Sequence, residues 1–205
     1  MGGIAILIPA AGASARMRGT DKLLEEVEGR ALLRRQAEEA LQVADHVAVA
    51  LPAHDHPRVR AIQGLPVQVV EVPDAHLGMS SALRRGVAML PRGIDAVLVL
   101  PADMPELTAP DLAAVIAGFR AVPRPTLQQA TAADGTPGHP VLFPADCFPA
   151  LLNLSGDQGA RRVLDANAHR LRHVALPGSR AVTDLDTPEA WQAWRDRNQA
   201  PCAAE

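Results

Sequence analysis

Cysteine, lysine and aromatic residues are all scarce in this sequence of 205 residues. Its two cysteines, Cys147 and Cys202, are far apart and neither belongs to a CxxC pair, so we expect neither a disulfide framework nor a zinc site. Aromatic residues make up 2% of the chain, too few for platforms that stack nucleic-acid bases. A net charge of −3 also gives no basic surface for nucleic acid. We therefore expect no nucleic-acid partner.

Long apolar runs are absent as well. None approaches the ~20 residues of a membrane-spanning helix, so no membrane span is expected. The N-terminus, Met-Gly-Gly-Ile, lacks the basic and apolar segments of a signal peptide, which predicts a cytoplasmic protein. Apolar residues form 48% of the chain and charged residues 21%, as in ordinary globular proteins. This length favours one domain or two small ones, and we expect a single domain over residues 1–198, followed by a short C-terminal tail, 199–205.

One segment near the N-terminus joins an apolar strand to a loop of very small side chains. Residues 5–8 form a continuous apolar run, as in a buried strand. In the loop that follows, bare backbone lets amide groups approach an anion closely, and Arg16, Arg18 and Lys22 can neutralise it. This combination suits a nucleoside triphosphate, although the loop matches neither GxxxxGKS/T nor GxGxxG. Alternatively, Gly12 only makes a turn and the cations form a solvated surface.

Apolar strands alternate with amphipathic helices through the first 120 residues. The pattern predicts strands over 5–8, 46–51, 67–72 and 96–100, and helices over 32–43, over 79–90 and from 108 onward. Strands that are apolar throughout are typical of a mainly parallel sheet covered on both faces, so we predict an α/β fold. Ligands of such sheets bind at the carboxyl ends of the strands, where the small-residue loop would lie.

Three aspartates lie where a metal site would be expected. Asp103 directly follows the predicted strand 96–100, and oxygen ligands of this kind suit Mg²⁺. Asp184 and Asp186 alternate along the chain, so both would point to one side of an extended segment and could complete the site. Alternatively, Asp103 caps a turn and the other two are exposed acids at a strand end.

Other polar residues stand at the starts of predicted helices and strands. Gly78, Ser80 and Ser81 open the helix over 79–90, where amides and hydroxyls form either an anion or base site or a plain serine cap. His139, in a turn-rich segment before a short strand, either orients a substrate or is a structural histidine.

The last third of the chain contains two further helix starts. A glycine-rich loop over 155–161 leads into a predicted helix over 160–168, with Asp157 as a cap. Thr187 and Pro188 mark the start of a helix that extends to about residue 198.

These segments together resemble a known family. In chain order they are AAGASARM, DKLL, GMSSALRRG, ADMP, GTPGHPVLF, GDQGAR and DLDTPE. They resemble the molybdenum cofactor cytidylyltransferase group of the MobA-like nucleotidyltransferase family. In the related guanylyltransferases the loop more often begins L-A-G-G, and the G-H-P and G-D-x-G-A-R segments are not typical. The chain departs from the group by one extra loop residue, Arg18, and by Met104 where glutamine is common.

The resemblance implies a Rossmann-like three-layer nucleotidyltransferase domain. It also implies transfer of CMP from CTP to the molybdenum–molybdopterin cofactor, with release of pyrophosphate and Mg²⁺ as cofactor. A molybdenum hydroxylase would then receive the product. On this basis Arg16, Lys22 and Asp103 are the expected catalytic residues, and Asp103 with Asp186 would hold the metal.

The remaining roles are also implied by the resemblance. The expected nucleotide-binding residues are Ala10, Ala11, Gly12, Ala13, Ser14, Arg16, Lys22, Gly78, Ser80 and Ser81. The expected residues for the pterin substrate are His139, Asp157 and Arg161. Two alternatives stay open: transfer of another nucleotide, to this acceptor or to a sugar or other small phosphate, and a non-catalytic protein that delivers the cofactor.

Overall fold

A seven-stranded sheet with helices on both faces organises the computed structural model, which describes residues 2–156 and 159–198. The strands are β1 (Gly3–Pro9), β2 (Glu26–Val27), β3 (Arg30–Ala31), β4 (His46–Leu51), β5 (Gln68–Glu71), β6 (Ile94–Val99), β7 (Leu127–Thr131), β8 (Pro137–Pro144) and β9 (Leu171–Ala175). The helices are α1 (Leu32–Leu41), α2 (Pro57–Ala61), α3 (Met79–Ala88), α4 (Ala109–Arg120), α5 (Phe148–Leu152), α6 (Arg161–Ala166) and α7 (Pro188–Asn198).

The sheet is mainly parallel. Its strand order is β5-β4-β1-β6-β8-β7-β9, and β8 alone runs antiparallel to both of its neighbours, while β2 and β3 form a separate hairpin. From β1 the chain first proceeds to β4 and β5 on one side, and then returns to β6 on the other side. The crevice at the carboxyl ends of β1 and β6 is therefore the topological switch point, where ligands bind in sheets of this kind.

Alternation along β1 divides the interior between the two faces of the sheet. Ile4, Ile6 and Ile8 belong to an apolar cluster that includes residues of α1 and α4. Leu7 belongs to a second cluster on the opposite face, with residues of α3, α5 and α6. A Cβ atom on Gly86 would lie 2.4 Å from Leu7 Cδ1, so glycine is what allows α3 to pack directly on the sheet. This arrangement confirms the predicted three-layer α/β fold.

A third apolar cluster lies beside the end of the small-residue loop. It combines Trp191 and Trp194 of α7 with Met17, Leu185 and residues of the hairpin and α1. The two tryptophan rings meet edge to face, with centroids 6.1 Å apart. Helix α7 thus fixes both the loop segment that contains Met17 and the segment that carries Asp184 and Asp186.

Most of the predicted elements are present. Helix α4 begins with a capping box between Thr108 and Asp111, and α7 spans Pro188–Asn198 with the Thr187 hydroxyl accepting from the Ala190 amide. The prediction does not include β2, β3, β7, β9, α2 or α5. The predicted cap Asp157 and the tail 199–205 lie outside the described residues. Among the residues described, no helix is long and apolar enough to cross a membrane.

Candidate active site

A cleft of about 400 Å³ opens at the switch point of the sheet. One wall is the small-residue loop, in which Ala10, Ala11, Gly12 and Ala13 place almost bare backbone against the cavity. The other lining residues are Pro9, Lys22, Leu23, Ala75, His76, Gly78, Met79, Ala82, Pro101, Ala102 and Asp103. A cavity of this size and lining can hold a small ligand such as a nucleotide.

The ammonium group of Lys22 connects the loop to two carboxylates at the edge of this cleft. Its Nζ atom lies 2.5 Å from Asp103 Oδ2 and 2.6 Å from Asp186 Oδ1. Arg16, which is mostly exposed, contacts the other oxygen of Asp186 at 2.6 Å. The structure therefore brings together all three predicted catalytic residues and the predicted second metal ligand, from segments as far apart in sequence as Arg16 and Asp186.

The protonation states follow from this arrangement. Burial alone would lower the pKa of Lys22, but Asp103 and Asp186 outweigh it and the pKa is raised. Burial would raise the pKa of Asp186, but Lys22 and Arg16 hold it below its usual value. Burial, together with the neighbouring charge of Asp186, raises the pKa of Asp184. Lys22 is thus a permanent cation here, which suits binding of phosphate rather than proton transfer.

The two carboxylates can accommodate a divalent cation. Their oxygens already converge on one cation, the Lys22 ammonium, as they would on a metal ion. Mg²⁺ takes one or two carboxylates plus phosphate oxygens and water. Across residues 2–156 and 159–198, no group of three or more His, Cys, Asp or Glu side chains is arranged to hold a metal. With two carboxylates, Asp103 and Asp186 suit a Mg²⁺ ion whose other ligands would be phosphate and water.

The predicted nucleotide-binding residues differ in how they face the cleft. Gly78 lines it, whereas Ser80 and Ser81 are buried in the first turn of α3 and are not among its lining residues. The Ser14 hydroxyl donates to Asp21 Oδ1 at 3.1 Å and accepts from Arg58, so it serves the loop itself. The roles assigned to the three serines remain predictions.

Of the predicted acceptor-side residues, His139 and Arg161 are described, and neither is among the lining residues of the cleft. Burial around His139 lowers the pKa of its imidazole and nearby Asp103 acts in the opposite direction, although the side chain keeps an exposed face. A Cβ atom on Gly138 would lie 1.9 Å from the Ala181 carbonyl oxygen, so glycine is required where β8 meets that segment. Arg161 begins α6 and is exposed.

One large contributor to the site, Arg58 in α2, is absent from the residues predicted from sequence. Its side chain is 2% exposed and binds Asp21, Ser14 and the Ala10 carbonyl. A proline at the first position of α2 is a signal for that helix. No sequence signal shows that its arginine turns inward, because this depends on how the crossover from β4 to β5 packs.

Comparison with known proteins identifies the class to which this fold and site belong. Residues 6–174 match the model of the MobA-like NTP transferase domain, so the chain belongs to that family. It is a nucleotidyltransferase domain, and the family predicted from the sequence motifs is confirmed.

Individual relatives agree with this classification. The purine catabolism protein PucB of Bacillus subtilis (strain 168) is 30% identical over 200 residues, covering 91% of this chain and 93% of PucB. The crystal structure of Rv0371c from Mycobacterium tuberculosis H37Rv superposes with a TM-score of 0.81 at 25% identity, covering 95% of this chain and 98% of that one. Rv0371c has also been solved in complex with manganese.

A more distant structure shares the fold. CMP:2-keto-3-deoxy-manno-octonic acid synthetase, solved with CTP, has a TM-score of 0.74 at 18% identity, covering 96% of this chain and 98% of that one. Its likeness confirms the nucleotidyltransferase fold.

The substitution Gly12→Ala separates ligand binding from folding. A Cβ atom at this position meets nothing within 4 Å, so we expect the unfolding temperature to stay within about 2 °C of wild type, as for a neutral surface change. A methyl group between the loop amides and a phosphate should weaken triphosphate binding at least about tenfold, as expected when charge-assisted hydrogen bonds are lost. Calorimetric titration and thermal melts measure the two effects.

Gly86→Val provides the opposite control, because overpacking against Leu7 should lower the melting temperature while the folded protein keeps its affinity. Unchanged triphosphate affinity in Gly12→Ala would remove the loop from the ligand site.

Proposed function

We propose that the protein transfers CMP from CTP to the terminal phosphate of the molybdenum–molybdopterin cofactor and releases pyrophosphate. The observation that carries this proposal is the position of Lys22, a permanent cation between Asp103 and Asp186 at the edge of a cleft lined by bare backbone. Cations and backbone amides suit a triphosphate, and the paired carboxylates suit its metal. Family membership supports nucleotidyl transfer itself.

The reaction requires that the two reacting phosphates be positioned and that their charge be stabilised, and it requires no covalent catalysis. The acceptor phosphate oxygen attacks the α-phosphorus, the bond to the β-phosphate breaks, and pyrophosphate leaves. The amides of the loop over 10–14 would hold the β- and γ-phosphates, and Lys22 and Arg16 would stabilise the charge on the α-phosphoryl and leaving groups. Mg²⁺ held by Asp103 and Asp186 would supply further charge neutralisation. His139 and Arg161 would contact the acceptor, together with Asp157, which lies outside the described residues.

Triphosphate and metal should bind together. Without ligand, Lys22 and Arg16 already neutralise the carboxylates that would hold the metal. A triphosphate offers the two cations a stronger anionic partner, and this exchange frees Asp103 and Asp186 for the metal. We therefore infer that divalent-cation affinity depends on nucleotide.

Cytidine, rather than another base, is supported by the sequence segments shared with the cytidylyltransferase group. These are the G-H-P segment at 138–140, the G-D-x-G-A-R segment at 156–161 and alanine at position 11. The same resemblance supports the pterin acceptor, a molybdenum hydroxylase as recipient of the product, and a cytoplasmic location.

Pyrophosphate release tests the function directly. Purified protein is incubated with Mg²⁺, molybdenum–molybdopterin cofactor and each of the four common ribonucleoside triphosphates in turn. We expect release with CTP and the acceptor together, and background release when either is left out. Release with GTP and the acceptor, but with none of the other three triphosphates, would identify a guanylyltransferase. Release only with a sugar phosphate as acceptor would contradict the pterin assignment, and tight cofactor binding without turnover would indicate a delivery protein.

Loss of the central cation should abolish most of the activity. Lys22→Ala and Arg16→Ala should each lower kcat by about two to four orders of magnitude, the effect of removing one transition-state charge contact. Lys22→Arg keeps the charge and should retain more activity than Lys22→Ala. Arg30→Ala, which removes an exposed arginine of the hairpin, is the matched control and should leave turnover unchanged. Near-normal turnover in Lys22→Ala would refute the assigned role.

The metal assignment is tested by binding as well as by activity. Electron paramagnetic resonance titration with Mn²⁺ should show weak binding to the protein alone and at least about tenfold tighter binding with CTP, since the nucleotide adds phosphate ligands. Asp103→Asn should abolish that gain. Asp95→Asn, at the opposite end of β6 and exposed, is the control. Equal Mn²⁺ affinity of Asp103→Asn and wild type in the presence of CTP would exclude Asp103 as a ligand.

A further inference from the structure

Arg58 is a charged side chain to which the proposed mechanism assigns no role. Only 2% of its surface is exposed, and it lies at the start of α2 in the crossover between β4 and β5. Burying a guanidinium is costly unless its charge is paired and its N–H groups are hydrogen-bonded. The partners of this side chain therefore indicate what its burial achieves.

All of those partners lie in the segment that follows β1. The guanidinium binds Asp21 through two nitrogens, with Nε 2.7 Å from Oδ2 and Nη2 2.8 Å from Oδ1. It also donates from Nη1 to the Ala10 carbonyl at 2.6 Å and from Nη2 to Ser14 Oγ at 3.0 Å. One side chain thus fixes residues 10 and 21, at the two ends of the segment 10–21, and residue 14 between them.

Asp21 extends this network into the loop. It accepts a hydrogen bond from Ser14 Oγ at 3.1 Å and another from the Leu23 amide at 3.1 Å, directly beside Lys22. Burial would raise the pKa of Asp21, but the guanidinium of Arg58 holds it below its usual value, so the carboxylate stays ionised. The pair is therefore electrically balanced within itself.

The loop needs such support from outside because it has little of its own. Ala10 and Ala11 are buried, but Gly12 and Ala13 beyond them are exposed, and a Cβ atom on Gly12 would meet nothing within 4 Å. Ser14 and Arg18 adopt left-handed backbone conformations, with φ of 50° and 52°, which cost energy for residues other than glycine. Loop amides bind an anion well only if they are already oriented towards it.

We propose that Arg58, paired with Asp21, is a positioning residue that holds the loop over 10–14 in its triphosphate-binding conformation. Arg58 is too deeply buried to reach a ligand, and its charge is already matched. Its contribution acts through the backbone of Ala10 and the hydroxyl of Ser14. The proposal rests on the proposed triphosphate function, but the loop conformation can also be measured without nucleotide.

The test uses two variants at this site and one control. Arg58→Lys keeps the charge opposite Asp21 and should fold, but it cannot reproduce the forked contacts with Ala10 and Ser14. The double variant Asp21→Leu/Arg58→Met removes both charges, which proteins often tolerate better than the loss of one partner. Arg34→Met is the matched control, because Arg34 supports the other end of α2 through the carbonyls of Ala61 and Gln63 and touches no part of the loop.

Three measurements are compared at a temperature where circular dichroism shows every variant to be folded. Hydrogen exchange of the peptide covering residues 10–24 reports loop order. Calorimetric titration with CTP and Mg²⁺ reports triphosphate affinity, and steady-state kinetics give KM for nucleotide and acceptor separately.

Both Arg58 variants should accelerate exchange in that peptide and raise the Kd and KM for CTP at least about tenfold, the scale of a lost charge-assisted hydrogen bond. The KM for the acceptor should not change, and Arg34→Met should leave loop exchange and CTP affinity at wild-type values. A purely structural role for Arg58 would lower the melting temperature without this selective rise.

Two results would count against the proposals, and they are distinguishable. Wild-type exchange and CTP affinity in both folded Arg58 variants would overturn the positioning role. If the wild type binds none of the four triphosphates while the Arg58 variants still show faster loop exchange, the proposed function fails but the anchoring of the loop by Arg58 stands.

Discussion

The ammonium group of Lys22 is the contact on which the geometry of the cleft depends. It joins the loop after β1 to Asp103, at the carboxyl end of β6, and to Asp186, just before α7. Without a cation between them the carboxylates of Asp103, Asp184 and Asp186 would repel one another in a partly buried place. Lys22 is the only lysine of the chain. Its two contacts join the loop to residues that are 81 and 164 positions away in sequence.

The fold makes this contact possible in two ways. The reversal of strand order at β1 places the ends of β1 and β6 side by side, which sets the distance between the loop and Asp103. The segment with Asp184 and Asp186 comes from the C-terminal part of the chain, and the third apolar cluster holds it in place. In that cluster Leu185 is buried against Trp191 and Trp194, and Asp186, the next residue, reaches Lys22 at the edge of the cleft.

Sequence alone predicts the parts of the molecule whose signals are local. The apolar run of β1, the capping box at Thr108 and the proline start of α7 each depend on neighbouring residues, and the structure contains all three. The prediction lacks β9 because exposed residues such as Arg172 and His173 hide its pattern, and it lacks β7 because Gln128 is buried with its amide bonded to Thr126. The inward turn of Arg58 follows from tertiary packing, which no local pattern encodes.

Burial gives different roles to three of the cations around the loop, which are Arg58, Arg16 and Lys22. Arg58 is enclosed and fully matched by Asp21, so it is held in place and can only hold other groups. Arg16 is 70% exposed, and solvent screens much of its attraction to Asp186. Lys22 lies between these extremes, with 17% of its side chain exposed. It is desolvated enough to attract an anion strongly, and it is open enough for the proposed exchange of its carboxylate partners for a phosphate. The most versatile of the three positions is therefore that of Lys22, because a ligand can both reach a partly buried charge and be bound strongly by it.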